Sequence, residues 1–253
     1  MLAAVILSLA LLPPTDPLGG NRKLVWHDEF DGKGAVNSKN WSFEHGYVRN
    51  HEEQEYVENV VNAHEAGGSV EITAERASGK THSAALESRQ SWTYGYFEIR
   101  AQIPTGRGTW PAIWFLGQGI RKQGAEFIGW PKCGEIDLME NVGFNPNDLH
   151  FTVHTAKVES QGHAAQGTHI TIDKPWERFH TYGLYWTKDH LNFYFDNKRV
   201  FSYLNNGRNP WPFDAPEFIL LNLAIGGEWG GQKGVDPAIF PSVFKVDYVR
   251  VYQ

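Results

Sequence analysis

Between Gly134 and Asn141 the chain reads Glu135-Ile136-Asp137-Leu138-Met139-Glu140, three carboxylates interleaved with aliphatic residues. On a helix Glu135 and Glu140 would point about 140° apart, five residues at 3.6 per turn, and could not act on one atom. On a strand Glu135 and Asp137 share a face, while Glu140 has the wrong parity unless one extra residue is taken up near Leu138 and Met139. A β-bulge there returns Glu140 to the common face, and bulges occur beside active sites because they re-aim a side chain. Three carboxylates on one face repel one another, so at least one pKa rises and one acid stays protonated near neutrality. A protonated acid beside an ionised one is what glycoside cleavage needs: one protonates the leaving oxygen while the other attacks or stabilises the anomeric carbon. If the carboxyl groups lie about 5 to 5.5 Å apart, no water fits between them and one must be the nucleophile of a retaining double displacement. Neighbouring positions along one strand favour that spacing. The same pattern also suits exposed strand carboxylates or an ion-pair network.

Such a constellation needs a strand scaffold, and from Lys23 onward the chain is written in strand periodicity, with Gly, Asn, Asp and Pro as punctuation. In Tyr94 to Ile103 the residues Gly95, Phe97, Ile99, Ala101 and Ile103 form a small or apolar face, and Tyr94, Tyr96, Glu98 and Arg100 take the other. Similar alternation runs through Val70 to Ala74, Leu149 to Thr155, His180 to Thr187, Leu191 to Phe195, Phe218 to Gly226 and Val243 to Tyr252. Strands in series, with turns between them and no long helical stripe, predict an all-β sandwich or jelly roll of two antiparallel sheets. No composition break or internal repeat calls for a second domain, and 22–253 is read as one.

The 253 residues hold 23 Lys plus Arg against 29 Asp plus Glu, a formal charge of -6, without a basic run longer than a pair. That argues against a nucleic-acid partner and gives no reason to expect a protein one, so the chain is read as a monomer. Ten Trp, ten Tyr and fifteen Phe exceed what packing alone requires and suggest flat apolar faces offered to a ligand, sugar rings above all. The single cysteine, Cys133, excludes an internal disulfide and a Cys-x-x-Cys zinc site. Leu2 to Leu12 is a continuous apolar run followed by Pro13, Pro14 and Pro17. It is too short to span a bilayer and reads as the core of a secretory signal, although the positive n-region is missing and no A-x-A site is clear. Residues 1–21 are accordingly assigned to a leader, and the protein to a secreted or periplasmic location.

Trp130 to Glu140, W-P-K-C-G-E-I-D-L-M-E, closely resembles the signature of glycoside hydrolase family 16 in its six-residue form E-I-D-x-x-E. The resemblance continues through Val25 to Gly32, Tyr94 to Arg100, Gly108 to Trp114, Leu221 to Trp229 and Asp247 to Tyr252, in the family's order and over nearly all of the chain after the leader. It implies a concanavalin-like β-jelly roll with a substrate cleft across a concave sheet, and a retaining endo-hydrolase. Position by position, Glu135 resembles the nucleophile, Glu140 the general acid/base and Asp137 the assisting carboxylate. Trp110 and Trp114 share a parity and could stack on pyranose rings or serve ordinary packing. Trp130 and Trp229 resemble cleft tryptophans, and His154 the family's cleft histidine. His150 shares the polar face of the same strand. Asn50 and Gln54, in Arg49 to Tyr56, resemble the loop that hydrogen-bonds sugars, and Glu52 and Glu55 are not assigned. Asn222 shares a parity with Ala224 and Gly226, where small residues leave space for a ring, or else it is a buried amide satisfied by backbone.

The resemblance also implies a structural calcium away from the chemistry, with Glu29, Gly68 and Asp247 in matching segments. No cofactor is implied for catalysis. The six-residue motif is similar to laminarinases, agarases and carrageenases; few clustered arginines in an acidic chain disfavour a sulfated galactan. The reading is therefore an endo-β-1,3-glucanase acting on β-glucans such as laminarin, with mixed-linkage β-1,3-1,4-glucan as a further substrate. Two other classes stand beside it. A non-catalytic carbohydrate-binding sandwich would need no convergent carboxylates. A metal-dependent hydrolase could use Glu135, Asp137, His150 and His154, but lacks a local motif such as H-E-x-x-H.

Overall fold

The computed structural model describes residues 16–156, 163–207 and 210–253. In chain order the strands are β1 (Leu24–Asp28), β2 (Trp41–Phe43), β3 (Gln54–Tyr56), β4 (Ala63–Ala66), β5 (Ser69–Ala77) and β6 (Lys80–Ser83). There follow β7 (Ala85–Trp92), β8 (Gly95–Gln102), β9 (Thr109–Gly117), β10 (Glu135–Glu140), β11 (Asp148–Ala156) and β12 (His163–Thr171). The last are β13 (His180–Trp186), β14 (His190–Phe195), β15 (Lys198–Leu204), β16 (Glu217–Ile225) and β17 (Ser242–Tyr252).

One sheet has seven strands in the order β12-β11-β10-β9-β16-β7-β2, and the other has ten, with β15-β14-β13-β8-β17-β5-β6-β3 as its path and β1 and β4 paired to β17 and β5. Each segment named for its alternation lies on one of these strands. The expected all-antiparallel pairing holds except at β3, which runs parallel to β6.

Alternation decides which side chains enter the core between the sheets. On β16, Ile219, Leu221, Leu223 and Ile225 face the main core, while Phe218 and Leu220 join a second, smaller cluster with Ala112, Trp114 and Leu116 of β9. All nine residues of β16 are therefore buried, as a central strand covered on both faces requires. The main core contains inter-sheet aromatic contacts such as Phe97 against Phe115, centroids 5.1 Å apart, and Phe151 against Phe193 at 6.3 Å.

The polar face of β8 is not open: Tyr96 and Glu98 are buried, and Tyr248 donates its hydroxyl to Glu98 Oε1 at 2.8 Å. The leader assignment lies outside the described residues through residue 15. Of its remainder, Asp16 is buried and pairs with Arg22 Nη2 at 2.6 Å, and Arg22 lies 4.4 Å from the Tyr185 ring centre.

Candidate active site

Strand β10 stands between β9 and β11, and its register shifts within Asp137–Glu140 against both neighbours. Against β9, Asp137 faces Trp114 and Met139 faces Ile113, so Leu138 is the extra residue. Leu138 and Met139 are both fully buried in the main core, two consecutive residues on one side, which a regular strand forbids. The burial of this aliphatic pair holds the bulge, and the bulge puts Glu140 on the cleft face with Glu135 and Asp137, where all three line one cavity of about 570 Å³.

Burial dominates the electrostatics. Desolvation, with the neighbouring Asp137 charge, raises the Glu135 carboxyl to about 8, against the pull of His154. Desolvation alone raises Asp137 to about 8. Glu140 is lifted to about 8 by burial and by Asp137, offset in part by a hydrogen bond from Trp110 Nε1 to Oε1 at 3.0 Å. The cluster thus retains protons at neutrality, and its titration belongs to the group rather than to single residues. His154, opposite Glu135 on β11, places Nε2 3.0 Å from Asp137 Oδ2 and 3.8 Å from Glu135 Oε1. Glu135, Asp137 and His154 bring one donor atom each within 4.8 Å of one another, the only such group among the described residues. His150 of the metal alternative is not in it. It lies opposite Glu140 with its ring 4.8 Å from that of Trp229, and burial and His169 lower its pKa.

The flanking residues divide into three sets. Asn50, Trp110, Trp114, Trp130 and Asn222 line the same cavity as the acids. Trp229 is outside its lining and stands edge-on to Trp110, centroids 5.5 Å apart. The expectation of direct sugar contact is corrected at Gln54, and Trp114, although in the cavity lining, is largely covered by protein groups. The Trp114 ring is covered by the Arg49 guanidinium at 4.9 Å, and its N–H donates to Asn222 Oδ1 at 2.8 Å, leaving the residue 7% exposed. Gln54 is buried: its Nε2 donates to Glu52 Oε2 at 2.7 Å and its Oε1 accepts from the Ile225 amide at 2.7 Å. It braces Glu52. Asn222 also donates to Tyr56 Oη at 3.0 Å, so its amide is satisfied by side chains rather than by backbone.

Both carboxylates of the implied calcium site are already paired with arginines. Both oxygens of Glu29 accept from Arg250, at 2.9 and 2.7 Å, and Asp247 is paired with Arg100. Gly68 lies at the β4–β5 turn with φ +79°. A cation binding through these carboxylates would have to displace two arginines.

Sequence reasoning missed the charged wall opposite the acids. Arg49 pairs with Glu44, Arg121 pairs with Glu87 at 2.9 Å, and all four line the cavity. Glu52, left unassigned as part of a charge run, is buried and accepts from Asn50, Gln54 and Tyr56.

A two-sheet β-sandwich with three convergent, proton-retaining carboxylates in a tryptophan-walled cleft defines a carbohydrate-cleaving class of enzyme. Comparison with known proteins makes this specific. The profile of glycosyl hydrolases family 16 matches residues 45–250, and the chain belongs to that family. It is 40% identical over 247 residues to a β-glucanase of Rhodothermus marinus, covering 91% of this chain and 85% of that one. A crystal structure of a non-specific endo-β-1,3(4)-glucanase of the same family, co-crystallised with 1,3-β-D-cellotriosyl-glucose, superposes with a TM-score of 0.82 at 37% identity, covering 92% of this chain and 95% of that one. A keratan-sulfate endo-1,4-β-galactosidase of Sphingobacterium multivorum is 32% identical over 97% of this chain, which spans 58% of that protein.

Proposed function

We infer that this protein is a retaining endo-β-1,3-glucanase that cleaves β-glucans such as laminarin, with mixed-linkage β-1,3-1,4-glucan as a second substrate. The observation that carries the choice of a neutral glucan is the charge of the cleft. Six carboxylates line it against two guanidiniums, Arg49 and Arg121, and both guanidiniums are already neutralised by Glu44 and Glu87. Among the described residues no lining cation is left over for a sulfate ester.

Glu135 attacks the anomeric carbon as a carboxylate while Glu140 gives its proton to the departing glycosidic oxygen. A covalent glycosyl ester on Glu135 results. Glu140, now ionised, takes a proton from a water that attacks the same carbon, releasing Glu135 and restoring the acid. The Trp110 N–H on Oε1 leaves the other oxygen of Glu140 to carry the transferred proton and stabilises the anion that forms. Asp137 stands between the two glutamates on β10, where it takes up charge from both, with His154 beside it. Catalysis needs no cofactor.

The formal charge of -6 gives no reason to expect a protein partner, which supports action as a monomer. The apolar run Leu2 to Leu12 supports secretion or a periplasmic location. Among the described residues no helix is long and apolar enough to cross a membrane.

The test is reducing-sugar release from laminarin, barley mixed-linkage glucan, carboxymethylcellulose, xyloglucan, agarose and carrageenan, with Glu135→Gln alongside. Release from laminarin that vanishes in the variant is the expected result. Release from agarose or carrageenan alone would overturn the substrate. Binding without cleavage of any polymer would make the protein a lectin.

A further inference from the structure

The loop between β9 and β10 opens with a 3-10 turn, Gln118–Arg121, that carries Ile120 and Arg121 into the cleft. Arg121 then reaches across β16 to β7. Its guanidinium carbon lies 3.4 Å from the centre of the Phe218 ring, Nη2 donates to Glu87 Oε2 at 2.9 Å, and Nη1 donates to the Ser88 carbonyl at 3.1 Å. Phe218 is 1% exposed, so a substrate in this part of the cleft meets the guanidinium and not the phenyl ring. The plane is fixed on three sides: by the ring beneath it, by a carboxylate and by a backbone oxygen. A guanidinium carries five N–H donors, and the two bonds above use two of them. Its charge is matched by Glu87, so an anion gains little there. Hydroxyl oxygens can accept the remaining donors, and a pyranose can lay its C–H face on the plane. Arg49, seated on Trp114 and paired with Glu44, repeats the construction beside it.

Phe218, beneath the plane, is on β16, two strands from β10 and about 10 Å away at 4.8 Å per strand. A sugar on this plane is therefore not the sugar being cleaved.

We propose that Arg121 is a specificity-determining residue, a guanidinium platform that binds a distal glucosyl unit of the β-glucan and sets how strongly the enzyme favours long chains. This rests on the glucanase reading. The experiment measures kcat/KM for laminarin oligosaccharides of two to seven units with the wild type, Arg121→Leu and Arg121→Lys, and melting temperatures for all three. Leucine keeps Phe218 covered, whereas lysine keeps the charge but not the plane. The wild type is expected to gain in kcat/KM with length. Arg121→Leu is expected to lose about tenfold more on the longest substrate than on the shortest, and Arg121→Lys at least threefold more. Equal losses at every length with a lowered melting temperature would make Arg121 a loop tether and overturn the proposal, as would no loss at all. A wild type inactive on the whole series would overturn the glucanase reading, and this assignment with it.

Discussion

At the scale of single residues, the central fact is three carboxyls sharing protons in a buried cluster. Glu140 must be protonated to release the leaving group, and its carboxyl is held at about 8. kcat/KM should therefore fall on the alkaline side with an apparent pKa of about 8, as the last proton leaves. The Trp110 N–H lowers that value, so Trp110→Phe should move the alkaline limb upward and cost about tenfold in kcat, since the anion formed at Glu140 loses its donor. A pH–rate profile of both proteins checks this; an unmoved limb would mean that the indole does not act on Glu140. The acids and Trp110 were legible because they lie within short, periodic segments. Arg49 and Glu44 were not: they are five residues apart but lie outside the strands, where no periodicity marks them. Nor were Arg121 and Glu87, because the pair joins a turn to a strand 34 residues away and local spacing carries no trace of a contact closed by folding. Gln54 was misread for the same reason, since its partners include the Ile225 amide 171 residues away.

At the scale of elements, the bulge in β10 is the device that makes a catalytic face from a six-residue motif. Its extra residue was legible from parity alone: two aliphatic residues in succession between carboxylates force it. Deleting Leu138 leaves Glu135, Asp137 and the third acid at alternate positions of a regular strand, still on one face. Such a variant should lose about 2–5 kcal/mol of stability, because a buried aliphatic side chain is gone, yet keep measurable activity on laminarin. Complete inactivity in a variant that still folds would show that the bulge aims Glu140 and does more than correct its parity. Strand order was beyond the sequence. Alternation predicts a sandwich, but β9 placed between β10 and β16, which brings Trp114 against Asn222, is a long-range choice of the folded chain.

For the molecule as a whole, the buried acids set how stability depends on pH. Glu135, Asp137 and Glu140 titrate at about 8 in the fold, against ordinary values of 4.5, 3.8 and 4.5. The folded state therefore binds more protons than the unfolded one between those limits, and stability is greatest below the ordinary values and falls as pH rises toward 8. Glu217 adds to this from behind the site. It is fully buried, neither carboxylate oxygen has a hydrogen-bond partner, and burial with the charges of Glu135 and Asp137 raises its pKa well above the ordinary range. Glu217→Leu should raise the melting temperature at pH 8 by about 3 °C or more and change it less at about pH 3, below the ordinary glutamate value of 4.5, where the carboxyl is protonated in both states. A larger gain at the lower pH would contradict the assignment of a neutral carboxyl. The β-sandwich was legible from periodicity; the pairing of Glu29 and Asp247 with arginines was not, since motif position carries no trace of it.

The most direct test of the account is to trap the intermediate. The protein is incubated with a 2-deoxy-2-fluoro-β-laminaribiosyl fluoride, digested, and its peptides mapped by mass spectrometry. A glycosyl ester on Glu135 is expected, formed as laminarin hydrolysis is lost and absent from Glu135→Gln. An ester on Asp137 or Glu140, or no adduct from an enzyme that cleaves laminarin, would contradict it.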